Sequence, residues 1–230
     1  MDKKQLAKYL DFANHHQAAT DEDIKQLCQK VKDYGFNSAF VNPYYVPLAK
    51  EALAGSALVG TVVSFPLGQE SLEVKKASIV WAVRNGAWEL DCCMNFGTFK
   101  QGSYDKVREE LKTLVYEAKN AQNSTIVKFI NEVGLFNDDE IKKASQLIEE
   151  SGADFVKIGS GFGPRGPTVQ DVELVKSVVS DKMRIKVAGG ITTYEQAIAF
   201  IRAGVQRIGT SHGPQIIDES DIQVTGDKKE

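Results

Sequence analysis

Lys157 and Lys186 each sit inside a short apolar run, Phe155-Val156-Lys157-Ile158 and Ile185-Lys186-Val187-Ala188, and each run is followed directly by glycine. Side chains alternate between the two faces of a strand, so a cation set between outward-facing aliphatics points into the sheet interior. A buried cation is costly there, which favours a chemical role. Asp91, between Leu90 and Cys92, and Lys128, between Val127 and Phe129, follow the same rule. Three inward lysines with one inward carboxylate predict a site rather than a plain packed core. The chemistry they suggest is covalent catalysis by an amine. An ordinary lysine titrates near 10.4 and must come down by roughly three pH units, about 4 kcal/mol, to be a good nucleophile at neutral pH. Lys186, one strand away, can disfavour the protonated form of Lys157 by like charge, and the apolar flanks add desolvation. Asp91 can then move protons while a carbinolamine forms and dehydrates.

Glycine-rich stretches accompany the last three strand-like runs of the chain, 155–158, 185–188 and 207–210: Gly159-Ser160-Gly161-Phe162-Gly163, Gly189-Gly190 and Gly209-Thr210-Ser211-His212-Gly213. Such loops offer backbone N–H groups to a phosphate. Lys128, Ser160, Gly161, Gly189, Gly190, Gly209, Ser211 and His212 are therefore the expected substrate- and phosphate-binding residues. No metal and no cofactor is expected. The histidines are His15, His16 and His212; the adjacent pair reads as a solvated turn, and no dinucleotide fingerprint or Walker loop follows any strand.

The elements that must position these groups recur along the whole chain. Strand-like runs at 37–41, 58–65, 88–94, 125–131, 155–158, 185–188 and 207–210, with a short candidate at 9–13, make eight. Between them lie amphipathic patterns, such as Ile24, Leu27, Cys28 and Val31, and Ile141, Ala144, Leu147 and Ile148. Capping boxes are expected at Thr20 with Asp23, Thr168 with Asp171, and Thr193 with Gln196. Gly35, Gly86, Gly152 and Gly204 fall where helices end. The expected fold is α/β: a single (β/α)8 (TIM) barrel over residues 1–217 with a short N-terminal helix, then a polar C-terminal tail, 218–230.

The 230 residues are 42% hydrophobic and 26% charged, with a net charge of −3, enough for one large core and without a basic footprint for nucleic acid or an anionic membrane. No run of apolar residues is long enough for a signal peptide or a membrane span. The three cysteines, Cys28, Cys92 and Cys93, lack metal-ligand spacing and read as buried thiols in a reducing compartment. A cytoplasmic location and a small phosphorylated sugar as ligand are expected.

With these residues in view, the chain resembles the deoxyribose-phosphate aldolase family from Leu6 to about Ile217. The markers are Val41-Asn42-Pro43, Ser64-Phe65-Pro66-Leu67-Gly68, Glu89-Leu90-Asp91, Ala153-Asp154-Phe155-Val156-Lys157, Gly161-Phe162-Gly163, Thr168-Val169-Gln170-Asp171-Val172, Lys186-Val187-Ala188-Gly189-Gly190-Ile191 and Arg207-Ile208-Gly209-Thr210-Ser211. The resemblance implies a class I aldolase on a (β/α)8 barrel. In it Lys157 forms the imine, Lys186 lowers the nucleophile's pKa and Asp91 relays protons. It also implies the reversible cleavage of 2-deoxyribose 5-phosphate to acetaldehyde and glyceraldehyde 3-phosphate, and a homo-oligomer, dimeric or higher. The departures lie in the substrate shell. Phe12-Ala13-Asn14-His15-His16-Gln17 stands behind Asp11 where relatives commonly read His-Thr-Leu-Leu-Lys-Pro. Ile158-Gly159-Ser160 replaces Thr-Ser-Thr, His212 replaces a serine, and Phe40 replaces a frequent cysteine. A sister Schiff-base aldolase with another donor or sugar phosphate, and a sugar-phosphate-binding barrel without turnover, are the alternatives.

Overall fold

In the computed structural model residues 1–226 are described, 221–226 as backbone only. The strands are β1 Leu10–Asn14, β2 Ser38–Val41, β3 Leu58–Val63, β4 Glu89–Cys93, β5 Ile126–Asn131, β6 Phe155–Ile158, β7 Arg184–Ala188 and β8 Arg207–Thr210. The helices are α1 Lys3–Ala7, α2 Asp21–Tyr34, α3 Val46–Leu53, α4 Leu72–Asn85, α5 Phe96–Lys100, α6 Tyr104–Ala121, α7 Asp138–Glu150, α8 Val169–Lys176, α9 Tyr194–Ala203 and α10 Gly213–Gly226. All neighbouring strands pair in parallel, in the order β1 to β8, and β8 closes onto β1. The expected (β/α)8 barrel is therefore the observed fold.

Local chemistry explains the alternation. The side chains of Thr20, Thr168 and Thr193 each accept a bond from the N3 backbone N–H, and their own backbone N–H groups donate to the N3 side chain in return, so α2, α8 and α9 open on capping boxes. Gly35 and Gly204 close α2 and α9 in the left-handed conformation, with φ of 70° and 99°. Each helix then buries its apolar stripe against the outside of the barrel: Ile24, Leu27, Cys28 and Val31 on α2, and Ile141, Ala144, Leu147 and Ile148 on α7. The three cysteines are free and buried.

Two expectations change at the ends of elements. The run expected to continue to Phe65 stops at Val63, because Ser64 takes a φ of 55° and turns the chain. The tail expected from Asp218 is instead helical to Gly226. Ile216 and Ile217 anchor α10 in the core, and the Glu219 carboxylate accepts the Tyr194 N–H at 2.9 Å and the Gln215 side chain at 2.9 Å. Residues 227–230 of that tail lie outside the described residues.

Inside the barrel, polar groups replace much of the usual aliphatic filling. Glu89 and Asp91 on β4, Lys128 on β5, Lys157 on β6, Lys186 on β7 and Asp11 on β1 are all buried. Phe40 on β2 fills the space opposite, where register partner Gly60 on β3 has no side chain. A Cβ at Gly60 would come within 2.3 Å of the Phe40 ring.

Candidate active site

Register places the inward groups at two heights. Lys128 pairs with Phe155, whereas Lys157 pairs with Ile130 on β5 and with Lys186 on β7. Lys157 and Lys186 thus stand one layer nearer the C-terminal mouth than Lys128. There they line a cavity of about 710 Å³ together with Asp91, Asp11, Phe40 and the loops that follow β1, β6, β7 and β8. This is the end of a (β/α)8 barrel at which active sites are built.

Asp91 is the centre of the site. Its Oδ2 lies 2.9 Å from Nζ of Lys157 and 2.9 Å from Nζ of Lys186, while Oδ1 lies 3.2 Å from Nζ of Lys128. Burial alone would raise its pKa; Lys157, Lys186 and Lys128 outweigh that and hold the carboxyl well below the ordinary range, so it is ionised. Lys186 also meets Asp11 Oδ2 at 2.7 Å. Burial lowers the Lys186 ammonium's pKa against the pull of Asp11 and Asp91, with Lys128 and Lys157 adding to the fall. Asp11 in turn accepts bonds from Ser38 Oγ at 2.7 Å and Asn37 Nδ2 at 2.8 Å, which fixes its carboxylate beneath Lys186.

Aromatic rings stand beside both lysine nitrogens. Nζ of Lys186 stands 3.7 Å from the centroid of Phe40, and Nζ of Lys157 stands 5.5 Å from that of Phe65. Phe65 is carried by the loop after β3. That loop is tied to β4 by fully buried Lys75, whose ammonium donates to the Gly68 carbonyl at 2.7 Å and the Cys93 carbonyl at 3.0 Å.

The glycine loops close over the same cavity. Gly159 has a φ of +79°, and a Cβ there would stand 2.6 Å from the Ala188 carbonyl oxygen; at Gly189, with a φ of +109°, it would stand 2.9 Å from Cα of Gly161. The backbones after β6 and β7 meet glycine against glycine at the cavity wall, an approach that a side chain at either position would block. Ser160, Gly161, Gly189, Gly190, Gly209, Ser211 and His212 all line it, as do Asp91, Lys157 and Lys186. His212 is bound to its own loop: its N–H donates to Thr210 Oγ1 at 2.9 Å, and its Nδ1 lies 3.1 Å from Ser211 Oγ.

Lys128 departs from the expected assignment. It is fully buried beneath the cavity, paired to Glu89 and Asp91, and does not line the space where a phosphate would bind. Burial opposes its charge, but Glu89, Asp91 and Asp11 raise its pKa, so it remains a fixed cation. His15 departs too. His16 is exposed as expected, but His15 is half-buried on the cavity wall, with Nδ1 3.2 Å from Asn42 Oδ1 and its ring 5.4 Å from that of Phe65. Asp11, outside the expected site residues, joins the site, and Leu10-Asp11-Phe12 carries the same inward signature as Leu90-Asp91-Cys92. Among the described residues no group of three or more His, Cys, Asp or Glu side chains converges to hold a metal.

Comparison with known proteins gives one consistent family. Residues 1–216 match the DeoC/LacD family aldolases. A deoxyribose-phosphate aldolase of Aciduliprofundum boonei is 45% identical over 223 residues, 96% of this chain and all of the relative. The structure described as QR15, an aldolase, superposes with a TM-score of 0.89 at 39% identity and 98% coverage of both chains. The deoxyribose phosphate aldolase of Aeropyrum pernix, described as a unique tetrameric structure, does so with 0.87 at 28% identity, covering 96% of this chain and 92% of that one.

Proposed function

The chain belongs to the DeoC/LacD family of aldolases, and from that premise we propose that it is a Schiff-base aldolase that reversibly cleaves 2-deoxy-D-ribose 5-phosphate to acetaldehyde and D-glyceraldehyde 3-phosphate. The observation that carries this reading is the meeting of Lys157 and Lys186 on one buried, ionised carboxylate, Asp91, at the floor of the cavity. In the cleavage direction the Lys157 nitrogen, once its ammonium has given up a proton, adds to the C1 aldehyde, forming a C–N bond, and the carbinolamine oxygen leaves as water to give the protonated imine. A base takes the proton of the C3 hydroxyl. The C2–C3 bond breaks, its electron pair flows into the C1=C2 enamine, and C3 departs as the aldehyde of glyceraldehyde 3-phosphate. Protonation of the enamine at C2 and addition of water then release acetaldehyde and restore the amine. Asp91, ionised before substrate arrives, accepts protons first and returns them through water. Lys186, anchored by Asp11, keeps a positive charge beside the imine nitrogen.

The phosphate would lie against the glycine loops after β7 and β8, where Gly189, Gly190, Gly209 and Ser211 line the cavity and α10 begins two residues beyond Ser211. By analogy with the tetrameric relative, we propose a homo-oligomer. The three unpaired, buried cysteines and the net charge of −3 support a cytosolic enzyme of carbohydrate breakdown.

Borohydride reduction in the presence of acetaldehyde tests the chemistry. The expected result is a stable mass increase confined to the peptide that contains Lys157. Label on Lys186, or none on any lysine, would overturn the assignment.

A further inference from the structure

His15 sits on the cavity wall in a setting that fits recognition of a hydroxyl group. Asn42 Oδ1 can only accept, so the contact at 3.2 Å requires Nδ1 of His15 to carry the hydrogen. The ring is neutral: burial, followed by the positive charge of Lys157, lowers its pKa to about 4. A neutral imidazole protonated at Nδ1 leaves Nε2 as a lone-pair acceptor. That nitrogen has no hydrogen-bond partner among the described residues, and the ring borders the cavity. Phe65 packs against His15 on one side, at 5.4 Å, and carries the Lys157 ammonium 5.5 Å from its centroid. The acceptor and the nucleophile therefore flank one aromatic ring, so His15 faces the carbons closest to the imine rather than the distant phosphate loops.

We propose that His15, oriented by Asn42, is a specificity-determining residue whose Nε2 accepts a hydrogen bond from a hydroxyl on the carbonyl donor bound at Lys157. This rests on the aldolase reading above and adds to it a substrate class: α-hydroxy aldehydes and ketones, besides the unsubstituted donor. An apolar residue at this position would give such a hydroxyl no partner, and an unpaired hydroxyl in a closed site costs affinity.

The test compares glycolaldehyde with acetaldehyde, and hydroxyacetone with acetone, as donors to glyceraldehyde 3-phosphate, in the parent, His15→Leu and His15→Gln. The expected result is a fall of tenfold or more in the ratio of kcat/KM for the hydroxylated over the plain donor in His15→Leu, with partial recovery in His15→Gln, whose amide oxygen can accept. A purely structural role for His15 would lower both donors alike and leave the ratio fixed. Borohydride trapping of the parent with acetaldehyde separates the two readings. Trapping with an unchanged donor ratio overturns the hydroxyl subsite alone, and no trapping in the parent overturns the aldolase reading and the subsite with it.

Discussion

Lys157 on β6 and Lys186 on β7 are direct register partners, and their ammonium nitrogens each approach the same oxygen of Asp91 to 2.9 Å. A shared carboxylate holds two like charges side by side that would otherwise repel each other. Removing any one of the three unbalances the other two.

Replacing Lys186 by Leu deletes the neighbouring charge and leaves Asp11 without its nearest cation. Turnover is expected to fall on the order of a hundredfold or more, and the rise of the rate with pH to move to higher pH. Lys186→Arg, always charged, should keep part of the activity. A pH–rate profile of the Leu variant that overlays the parent's would count against this role.

Asp91→Asn keeps the shape but removes the negative charge between the lysines. We expect kcat to drop by about two to four orders of magnitude while the KM for the phosphorylated substrate changes little. Near-normal turnover would remove Asp91 from the proton path.

Lys128 should behave as a structural ion. Lys128→Met leaves Glu89 buried without its cation, and loss of one partner of such a pair costs about 3–5 kcal/mol. The loss would be read as a lower midpoint in urea. In protein that remains folded, discrimination between phosphorylated and unphosphorylated acceptors should be unaltered; a selective loss for the phosphorylated one would return Lys128 to the binding site.

Ser211 and His212 should act on the phosphate alone. A Ser211→Ala/His212→Ala double variant is expected to raise KM for glyceraldehyde 3-phosphate about tenfold or more, at roughly 1–3 kcal/mol per lost charged hydrogen bond, and to leave KM for glyceraldehyde unchanged. Equal effects on both acceptors would place the phosphate elsewhere.

His15 gives a stability signature. Its folded pKa is about 4 against an ordinary 6.5, so between those values the unfolded chain binds a proton that the folded one refuses. Stability should therefore fall as pH drops from about 6.5 towards 4, and His15→Leu should flatten that portion of the Tm–pH curve. An NMR titration of the His15 ring that is complete above pH 6 would contradict this.

Much of the site could be read from alternation. Asp91, Lys157 and Lys186 each sit between apolar neighbours on a strand, and the pattern correctly turned all three inward. Alternation gives the side of the sheet but not the height along the barrel axis. Lys128 shares the signature, yet register sets it one layer below Lys157. His15 lies past the end of β1, where no periodicity applies, and the residue that orients its ring, Asn42, is distant in the chain. The helix after β8 is weakly signalled because, among its residues with described side chains, the buried Ile216 and Ile217 are followed directly by the polar Asp218, Glu219 and Ser220.

The interlocking of Phe40 with Gly60 makes these two positions one unit of volume. Gly60→Ala drives a methyl group into the Phe40 ring, and Phe40→Leu removes the aromatic face 3.7 Å from Lys186, so each change alone should injure the protein, the first through overpacking and the second through lost charge support. Made together, the smaller side chain gives room to the new methyl, and the damage from Gly60→Ala should be partly relieved. Attempts to reshape the cavity floor by evolution in the laboratory would then find their improvements in paired substitutions across β2 and β3, and would miss them in any library that varies one position at a time.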